Sequence, residues 1–311
     1  MPASVVRTFS DPDDYAASIR AIAAALTITQ RGLFGAKLIR IDLHDLSIGR
    51  FSDNLPRVAH VEVNAAHANI SFRTQSGASL ITSGLELDQS AILCRGHVHD
   101  YFQQSTGPTY FGSLSLPVEK LAEIVGGGLQ PLKDALAITP SPVAMTRLRH
   151  LHAAAGTLAE DAPAVIADPA AARALEQALI GALIDCLGVG KVNEDRSAVR
   201  QHAKIMRRFN RAIADHLDQP LYVPELCRAI GVSERTLRVC CREHLGMSPK
   251  RYLLVRRMNL VRRSLCESAP RATTVTEIAT RYGFWQFGRF SGEYRSLFGE
   301  LPSVTLARPP H

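Results

Sequence analysis

The chain has 311 residues, of which 46% are hydrophobic and 21% are charged, and its formal net charge is +7 at pH 7. This composition is typical of a globular protein, and the length is enough for two domains. No stretch reaches the roughly 20 consecutive apolar residues that a membrane-spanning helix needs. Residues 1–15 also lack the charged-then-apolar pattern of a secretory signal, so we expect a cytoplasmic protein.

Motifs for catalysis and for cofactor binding are absent from the sequence. There is no G-x-S-x-G elbow, no Ser-His-Asp pattern and no phosphate-binding loop. The cysteines form no C-x-x-C pair, which argues against a zinc ribbon and against a disulfide framework: Cys94, Cys186, Cys227, Cys240, Cys241 and Cys266. We therefore expect neither an enzyme nor a protein that carries a cofactor.

The positive charge is confined to one end of the chain. Residues 1–196 contain 16 Lys and Arg against 20 Asp and Glu, a balance of −4, whereas residues 197–311 contain 20 against 9, a balance of +11. A basic module attached to an acidic one suggests a polyanionic partner for the basic module.

The first 125 residues begin with a predicted helix and continue as short strands. Residues 11–30 resemble a helix with acidic residues in its first turn. Between residues 36 and 116, short apolar runs alternate with clusters of turn residues, which predicts a β-sandwich or barrel. Pro117 then begins a helix that ends near Val125, before a run of three glycines.

Residues 141–187 are rich in Ala and Leu and predict helices, with Asp168 and Pro169 as an N-cap and first-turn pair. An apolar stripe recurs every four residues on one face: Leu175, Leu179, Leu183 and Leu187. This stripe must pack against the rest of the domain or against the same helix of a second subunit, and we expect it to form a homodimer. Periodicity is lost over residues 188–196, which we interpret as a linker.

One pattern occurs twice after the linker, in residues 223–249 and again in residues 275–302. Before the turn, the positions recur at an offset of 52: Glu225 with Glu277, Leu226 with Ile278, Ile230 with Tyr282, and Gly231 with Gly283. After the turn they recur at an offset of 53: Leu237 with Phe290, Cys241 with Tyr294, Leu245 with Phe298, Gly246 with Gly299, and Pro249 with Pro302. Each copy predicts a short helix, a turn and a longer helix, which is a helix-turn-helix unit, and the second turn is one residue longer.

Capping residues and outward-facing side chains complete the repeat. Ser233 and Ser248 occupy N-cap positions, and Thr274 with Glu277 forms a capping-box pattern. The longer helices direct polar and basic residues outward: Arg235, Arg238 and Arg242 in the first copy, and Gln286, Arg289 and Arg295 in the second. A long helix from Pro249 to about Cys266 joins the copies and carries a basic face: Lys250, Arg251, Arg256, Arg257, Arg262 and Arg263.

These features resemble the DNA-binding domain of the AraC/XylS family of bacterial regulators. The resemblance covers residues 205–307 and depends on GVSERTL, HLGMSPKRYL and GFWQFGRFSGEYRSLFGELPS. It implies that the longer helix of each unit enters the major groove of duplex DNA. The base-facing residues would be Arg235, Arg238 and Val239 in the first unit and Phe287, Gly288, Arg289 and Gly292 in the second, with Lys250 and Arg251 on phosphates. The other candidate DNA-binding residues are Ser233, Arg242, Gln286 and Arg295. The two glycines depart from the polar residues usual in the family, so we expect the first unit to read more of the sequence.

The resemblance also gives a reading of the whole chain. Proteins of this family commonly carry an effector-binding β-domain first, and residues 1–187 resemble such a sensor. We therefore expect an α+β protein: a β-sandwich or cupin-like sensor domain over residues 1–187 with dimerisation helices, then a linker, then an all-α domain of two helix-turn-helix units over residues 197–311. The expected function is transcriptional regulation that responds to a small molecule. No motif decides between activation and repression.

One motif supports a different function. His97-Val98-His99 follows a predicted strand and would place both imidazoles on one face, as in metal-binding cupins. A metal site needs a third or fourth ligand, and neither Asp100 nor Glu119 is well placed to supply one. The alternative function is a cupin-like metalloenzyme fused to a DNA-binding tail.

Overall fold

The computed structural model describes residues 1–19, 22–64, 66–96, 100–125, 136–188, 191–192, 197–215, 221–269 and 272–308. Its N-terminal part combines two antiparallel sheets with helices, and its C-terminal part is helical, which confirms the predicted α+β fold class.

The strands, in chain order, are β1 (Ala3–Phe9), β2 (Ile22–Ile28), β3 (Ala36–Asp42), β4 (Ser47–Asp53), β5 (Arg57–Val63), β6 (His67–Arg73), β7 (Leu80–Thr82), β8 (Leu85–Glu86), β9 (Ile92–Arg95), β10 (Asp100–Ser105), β11 (Thr109–Pro117), β12 (Leu136–Thr139) and β13 (Lys191–Val192). They form two sheets, in the orders β1-β3-β4-β11-β6-β9-β12-β13 and β2-β5-β10-β7-β8.

The helices are α1 (Pro12–Ala17), α2 (Val118–Val125), α3 (Pro142–Asp161), α4 (Pro163–Ala167), α5 (Pro169–Gly188), α6 (Ser197–Ala214), α7 (Val223–Ile230), α8 (Glu234–Leu245), α9 (Pro249–Glu267), α10 (Val275–Arg281), α11 (Phe287–Phe298) and α12 (Pro302–Leu306). The caps predicted at Ser233, Ser248 and Thr274 all accept the expected backbone hydrogen bonds.

The helix predicted for residues 11–30 is wrong beyond its first turns. Helix α1 ends at Ala17, and Ile22–Ile28 is the edge strand β2, which pairs with β5 along its whole length from Ile22 opposite Val63 to Ile28 opposite Arg57. The Ala-rich segment has good helix propensity, but propensities differ by less than about 1 kcal/mol per residue and give way to tertiary context. Here pairing with β5 decides the structure.

The larger sheet, which we call the helix-side sheet, carries α3 and α5 on one face. Side chains from alternate strand positions, such as Ile41, Ile70 and Leu114, are completely buried in a core shared with these helices. The opposite face of this sheet is turned toward the smaller sheet. Strand alternation therefore gives the helix-side sheet one face in a helix–sheet core and one face in a sheet–sheet interior.

The predicted dimerisation stripe lies in this core, which corrects our expectation for its central residues. Leu179 and Leu183 are 0% exposed, and Leu175 and Leu187 are partly buried against the same core. A second subunit cannot contact the two central leucines unless the helix leaves the sheet. Periodicity predicted the burial correctly but could not name the surface that the stripe packs against.

The smaller sheet, which we call the domain-side sheet, separates this interior from the C-terminal domain. Val58 of β5 and Phe102 of β10 belong to the hydrophobic core of the first helix-turn-helix unit, where Phe102 meets Tyr252 edge-on at a ring distance of 6.1 Å. Asn259 of α9 bonds both backbone groups of Ile28 at 3.0 Å, so α9 continues the hydrogen bonding of the edge strand β2.

Helix α9 joins the two halves of the C-terminal domain by belonging to both of their cores. Tyr252 and Leu253 near its start pack with the first unit, whereas Met258, Val261 and Leu265 pack with the second. The long helix is therefore a shared structural element and fixes how the two units are placed on it.

Because Leu179 is a core residue, Leu179→Ala should lower the free energy of unfolding by about 2–5 kcal/mol. The neighbouring exposed residue Gln177 is the matched control, and Gln177→Ala should change it by no more than about 0.5 kcal/mol. Urea denaturation followed by circular dichroism measures both. A folded Leu179→Asp variant of undiminished stability would contradict this packing.

Candidate nucleic-acid interface

The first helix-turn-helix unit is closed by a short turn. Helix α7 ends at Gly231, whose φ of 73° lies in the left-handed region that favours glycine, and Ser233 then caps α8 by accepting from the Thr236 N–H at 3.1 Å. Gly246 ends α8 with a φ of 68°. The Ser233 hydroxyl therefore has a structural role at the start of the longer helix, while remaining exposed.

The second unit repeats this arrangement with the longer turn that the offsets predicted. Thr274 and Glu277 form a reciprocal capping box at the start of α10, and Gly283 has a φ of 76°. Phe284, Trp285 and Gln286 then precede α11, one residue more than in the first unit. Gln286 lies at the N-cap position of α11 but makes no capping bond, so its amide is available at the surface.

The side chains predicted to face DNA on α8 lie together on its exposed face. These are Arg235, Arg238, Val239 and Arg242, and Val239 is 41% exposed although it is apolar. Arg238 donates to Glu234 one turn earlier, at 2.7 Å. The opposite face of α8 is buried in the core, so the helix presents one basic surface outward.

Helix α11 presents a surface of different chemistry. Phe287 is 39% exposed, Arg289 is exposed and bonded to Glu293 at 3.0 Å, and Arg295 lies further along. A Cβ added at Gly288 or Gly292 would meet no atom within 4 Å. The two glycines therefore leave a stretch of helix backbone open to approach from outside.

The basic face of α9 is divided, which corrects its uniform appearance in the sequence. Lys250 and Arg251 in the first turn are exposed. Near the other end, Arg262 bonds Asp11 at 3.2 Å and Arg263 bonds Asp13, and both partners belong to the start of α1.

The middle of α9 is also less accessible than its charge suggests. Arg256 and Arg257 are partly buried, and this burial lowers the pKa of both guanidinium groups. Arg257 also lies over the ring of Phe284, 5.0 Å from its centroid. Among the described residues of α9, Lys250 and Arg251 are therefore the basic side chains best placed for an external phosphate.

Sequence reasoning missed two exposed aromatic side chains in the helix-turn-helix units. Trp285, two residues before α11, is 70% exposed, and Tyr222, immediately before α7, is 64% exposed. Large aromatic side chains on a surface are characteristic of binding sites. A possible signal was the position of Trp285, because the only tryptophan in the sequence lies in the turn of the second unit.

The N-terminal domain contains two adjoining cavities between its sheets. The outer cavity has a volume of about 340 Å³, and the inner cavity has a volume of about 40 Å³. Both are lined by Ile19, Phe51, Asn69 and Ser113, which therefore mark the passage between them. A total of this size is in the range of sites for small organic molecules.

The histidine pair considered for a metal, His97 and His99, lies outside the described residues. Among the residues that the structure describes, no three His, Cys, Asp or Glu side chains are grouped as metal ligands. Within the same residues, no helix is both long and apolar enough to cross a membrane.

Comparison with known proteins gives matches concentrated in the C-terminal domain. Residues 226–308 match the family described as Helix-turn-helix domain. The chain is 44% identical over 95 residues to the probable thc operon regulatory protein of Rhodococcus erythropolis, covering 30% of this chain and 29% of the relative. It is 35% identical over 116 residues to XylDLEGF operon transcriptional activator 3 of Pseudomonas putida, covering 37% of this chain and 35% of the relative.

The matched stretch thus spans about a third of the length of these two curated relatives. Among solved structures, the AraC-like transcriptional activator CuxR is similar at 16% identity and a TM-score of 0.43, over 84% of this chain and 95% of that chain. The sequence matches confirm the resemblance predicted for the C-terminal domain and its helix-turn-helix repeat.

Since the sites of Gly288 and Gly292 are open, replacing either glycine with alanine should raise the free energy of unfolding by about 0.5–1 kcal/mol. Alanine removes backbone freedom from the unfolded chain and adds a methyl group that meets no atom. Gly246→Ala is the contrasting control, because its φ of 68° and the nearby Gln104 side chain make alanine strained there. Chemical denaturation of the three variants measures the difference, and destabilisation by Gly288→Ala would show that its site is not open.

Proposed function

We propose that this chain, whose C-terminal domain belongs to the AraC/XylS type of helix-turn-helix domains, is a regulator of transcription that binds specific sequences of duplex DNA in the bacterial cytoplasm and responds to a small molecule. The relatives named above include an operon activator, and activation is the direction that we propose. The division into a sensor over residues 1–187, a linker over residues 188–196 and a DNA-binding domain over residues 197–311 is part of the proposal.

The observation that carries this proposal is the pair of exposed longer helices, α8 and α11, whose units pack on opposite ends of the shared helix α9. We call α8 and α11 the reading helices. Helices of this kind enter the major groove, and successive major-groove faces of B-DNA lie about 34 Å apart. One chain would thus read two adjacent stretches of the groove. Lys250 and Arg251 would hold the backbone between them, since phosphate contacts fix position and carry no direct sequence information.

The ion pairs on the reading helices do not oppose DNA binding. Arg238 and Arg289 each bond a glutamate on their own helix, at the surface. Releasing such an exposed pair costs about 0.3–0.5 kcal/mol, whereas a bidentate arginine–guanine contact discriminates by roughly 1–3 kcal/mol. Exchange of the glutamate for a base edge is therefore favourable.

We expect Arg235→Ala and Arg238→Ala each to lose roughly 1–3 kcal/mol of preference for the right base, because both remove side-chain donors from the exposed face of α8. Lys250→Ala and Arg251→Ala should instead weaken all sequences alike and lower the salt dependence of binding, by about one unit of slope per lost phosphate contact. Selection of binding sites from random duplexes, followed by titrations at several salt concentrations, measures both effects.

Arg289→Ala and Phe287→Ala provide the comparison within the second unit. Phe287 could contact thymine methyl groups while the glycines let the backbone approach the groove. If either of these variants erases more of the selected sequence than Arg235→Ala does, then α11 and not α8 is the main reader. If none of the six variants changes DNA binding, the proposed interface is wrong.

The proposed signal from the sensor would cross the domain-side sheet. Along β10, Tyr101 and Gln103 line the inner cavity, while Phe102 lies in the core of the first helix-turn-helix unit and Gln104 lies beside Gly246. A ligand that displaces β10 would move the side chains on both faces of the strand together, because successive residues of one strand point to opposite faces of the sheet. The ligand must favour one arrangement of the two domains for this to have an effect.

The contact between α9 and β2 is the part of this interface that we expect to be most sensitive. Asn259→Ala would leave the Ile28 N–H and C=O without their partner and should lower the free energy of unfolding by about 1–3 kcal/mol. It should also speed hydrogen exchange of the Ile28 amide. The matched control is Asn64→Ala, because Asn64 only caps its own turn by accepting from the Ala66 N–H. If the Ile28 amide exchanges at the same rate in both variants, the contact between Asn259 and Ile28 is wrong.

We also propose a homodimer, now through the outer surface of α3 and α5 and not through the buried stripe. Val143 is 79% exposed and Ile184 is 42% exposed on these helices. Val143→Asp together with Ile184→Asp should therefore give folded monomers, with Gln75→Asp, at an exposed position after β6 and away from α3 and α5, as control. Sedimentation velocity decides this, and a double variant that remains dimeric would place the dimer contact elsewhere.

A further inference from the structure

Behind Ser71 and Tyr101, which line the inner cavity, lies a buried cation that has no anionic partner among the described residues. Arg95 is 1% exposed, its Nη1 donates to Ser71 at 3.2 Å, and its guanidinium lies over the ring of Tyr101 at 4.0 Å. Its Nε and Nη2 atoms are buried without a hydrogen-bond partner in the part of the chain that the structure describes. Burying an unpaired charge costs several kcal/mol, so such a group needs a reason.

A second guanidinium lines the cavity directly. Arg57 is 2% exposed and donates from Nη2 to Asp53 at 2.8 Å, and Asp53 also accepts from Thr109 at 3.1 Å. The Nε and Nη1 atoms of Arg57 have no partner among the described residues. The charges of Arg57, Arg95 and Asp53 together leave one positive charge at the cavity, which a monoanion would balance.

The unused polar groups around the cavity are mostly donors. Besides the four guanidinium nitrogens, the hydroxyl of Tyr15 is buried without a partner, and burial raises the pKa of this phenol so that it keeps its proton. On the acceptor side, Oδ1 of Asp53 is also unpartnered. A carboxylate supplies acceptors only, with two oxygens that can each take more than one hydrogen bond.

The size of the inner cavity agrees with this group. Its volume of about 40 Å³ accommodates about three water-sized groups, since each needs roughly 10–15 Å³ by this measure. A carboxylate has three heavy atoms. The rest of the molecule would extend past Phe51 into the outer cavity, which is about 340 Å³ in volume.

We infer that the effector of this protein is a small organic monocarboxylate, whose carboxylate enters the inner cavity and is held by Arg57, Arg95 and the Tyr15 hydroxyl. This inference rests on the proposed function, because it names the ligand class of the proposed sensor. Arg95 stacks on Tyr101, and Tyr101 precedes Phe102 on β10, so a ligand that draws in Arg95 acts on the strand that touches the DNA-binding domain.

The experiment compares acids with their neutral amides on the full chain. Butyrate and benzoate, each against butyramide and benzamide at about 10 mM, should raise the melting temperature of the wild type by about 2 °C or more, and the amides should not. By isothermal titration, each acid should bind the wild type about tenfold or more tightly than its amide, as charge-assisted hydrogen bonds imply.

Arg95→Met is the decisive variant. It removes a buried charge that has no anionic partner, so the ligand-free protein should melt at the same temperature or higher, while the response to both acids is lost. Tyr15→Phe removes only a hydroxyl and should weaken acid binding without unfolding the protein. Arg173→Met, at an exposed position of α5, is the matched control and should bind like the wild type.

The inference is overturned if neither acid changes the melting temperature, if the amides bind as tightly as the acids, or if Arg95→Met binds acids like the wild type. DNA binding of the same preparations is measured by fluorescence anisotropy. Acid binding without any DNA binding would retain the carboxylate site and reject the proposed function. DNA binding without acid binding would retain the proposed function and reject the carboxylate site.

Discussion

The structure depends on one sheet that belongs to two interiors. The strands β5 and β10 place alternate side chains in the cavity between the sheets and in the core of the first helix-turn-helix unit. On the side of the C-terminal domain, Val58 and Phe102 are buried in the core of the first helix-turn-helix unit, and packed cores resist continuous deformation. In the proposed mechanism, a change in the cavity would therefore reach α8 and α9 through these two strands.

The packing of the domain-side sheet against the C-terminal domain also explains why the edge strand β2 matters. An edge strand exposes unpaired backbone groups, which proteins usually cover. Here Asn259 covers Ile28 with one side chain that both donates and accepts. The acidic start of α1 adds ion pairs to the same helix through Asp11 and Asp13. The acidic N-terminal part thus neutralises the end of α9 that faces it and leaves the first turn of α9 basic.

The features that sequence reasoning predicted well are the local ones. Capping residues, glycines at helix ends and the buried stripe of each longer helix are determined within a few residues of chain, so the repeat was recognisable with its register and its longer second turn. The side chains of α8 and α11 predicted to face outward are indeed exposed. Whether they contact DNA is a prediction that exposure alone does not test.

The features that sequence reasoning missed depend on residues far apart in the chain. The strand at Ile22–Ile28 exists because β5 pairs with it, and the stripe around Leu179 packs on a sheet that begins with the third residue. Arg262 and Asp11 are 251 residues apart. Arg57 and Arg95 look like ordinary polar positions in alternating strands, and only closure of the two sheets buries them, Arg57 in the wall of a cavity and Arg95 behind that wall. Hydrophobic periodicity shows which face of a helix or strand is buried. The surface that this face packs against is determined by the fold.

The two reading helices differ in a way that bears on how one chain could recognise DNA. Helix α8 offers guanidinium donors, which can distinguish bases by hydrogen bonding. Helix α11 follows the exposed Trp285, begins with Phe287 and has open backbone at Gly288 and Gly292. Apolar and aromatic groups respond to thymine methyl groups and to the shape of the groove more than to donor and acceptor patterns. If the chain binds DNA as proposed, the shared helix α9 makes this division useful, because the unit with stronger base contacts would set the register for both. The second unit would then add affinity over a stretch of DNA whose sequence it constrains only loosely.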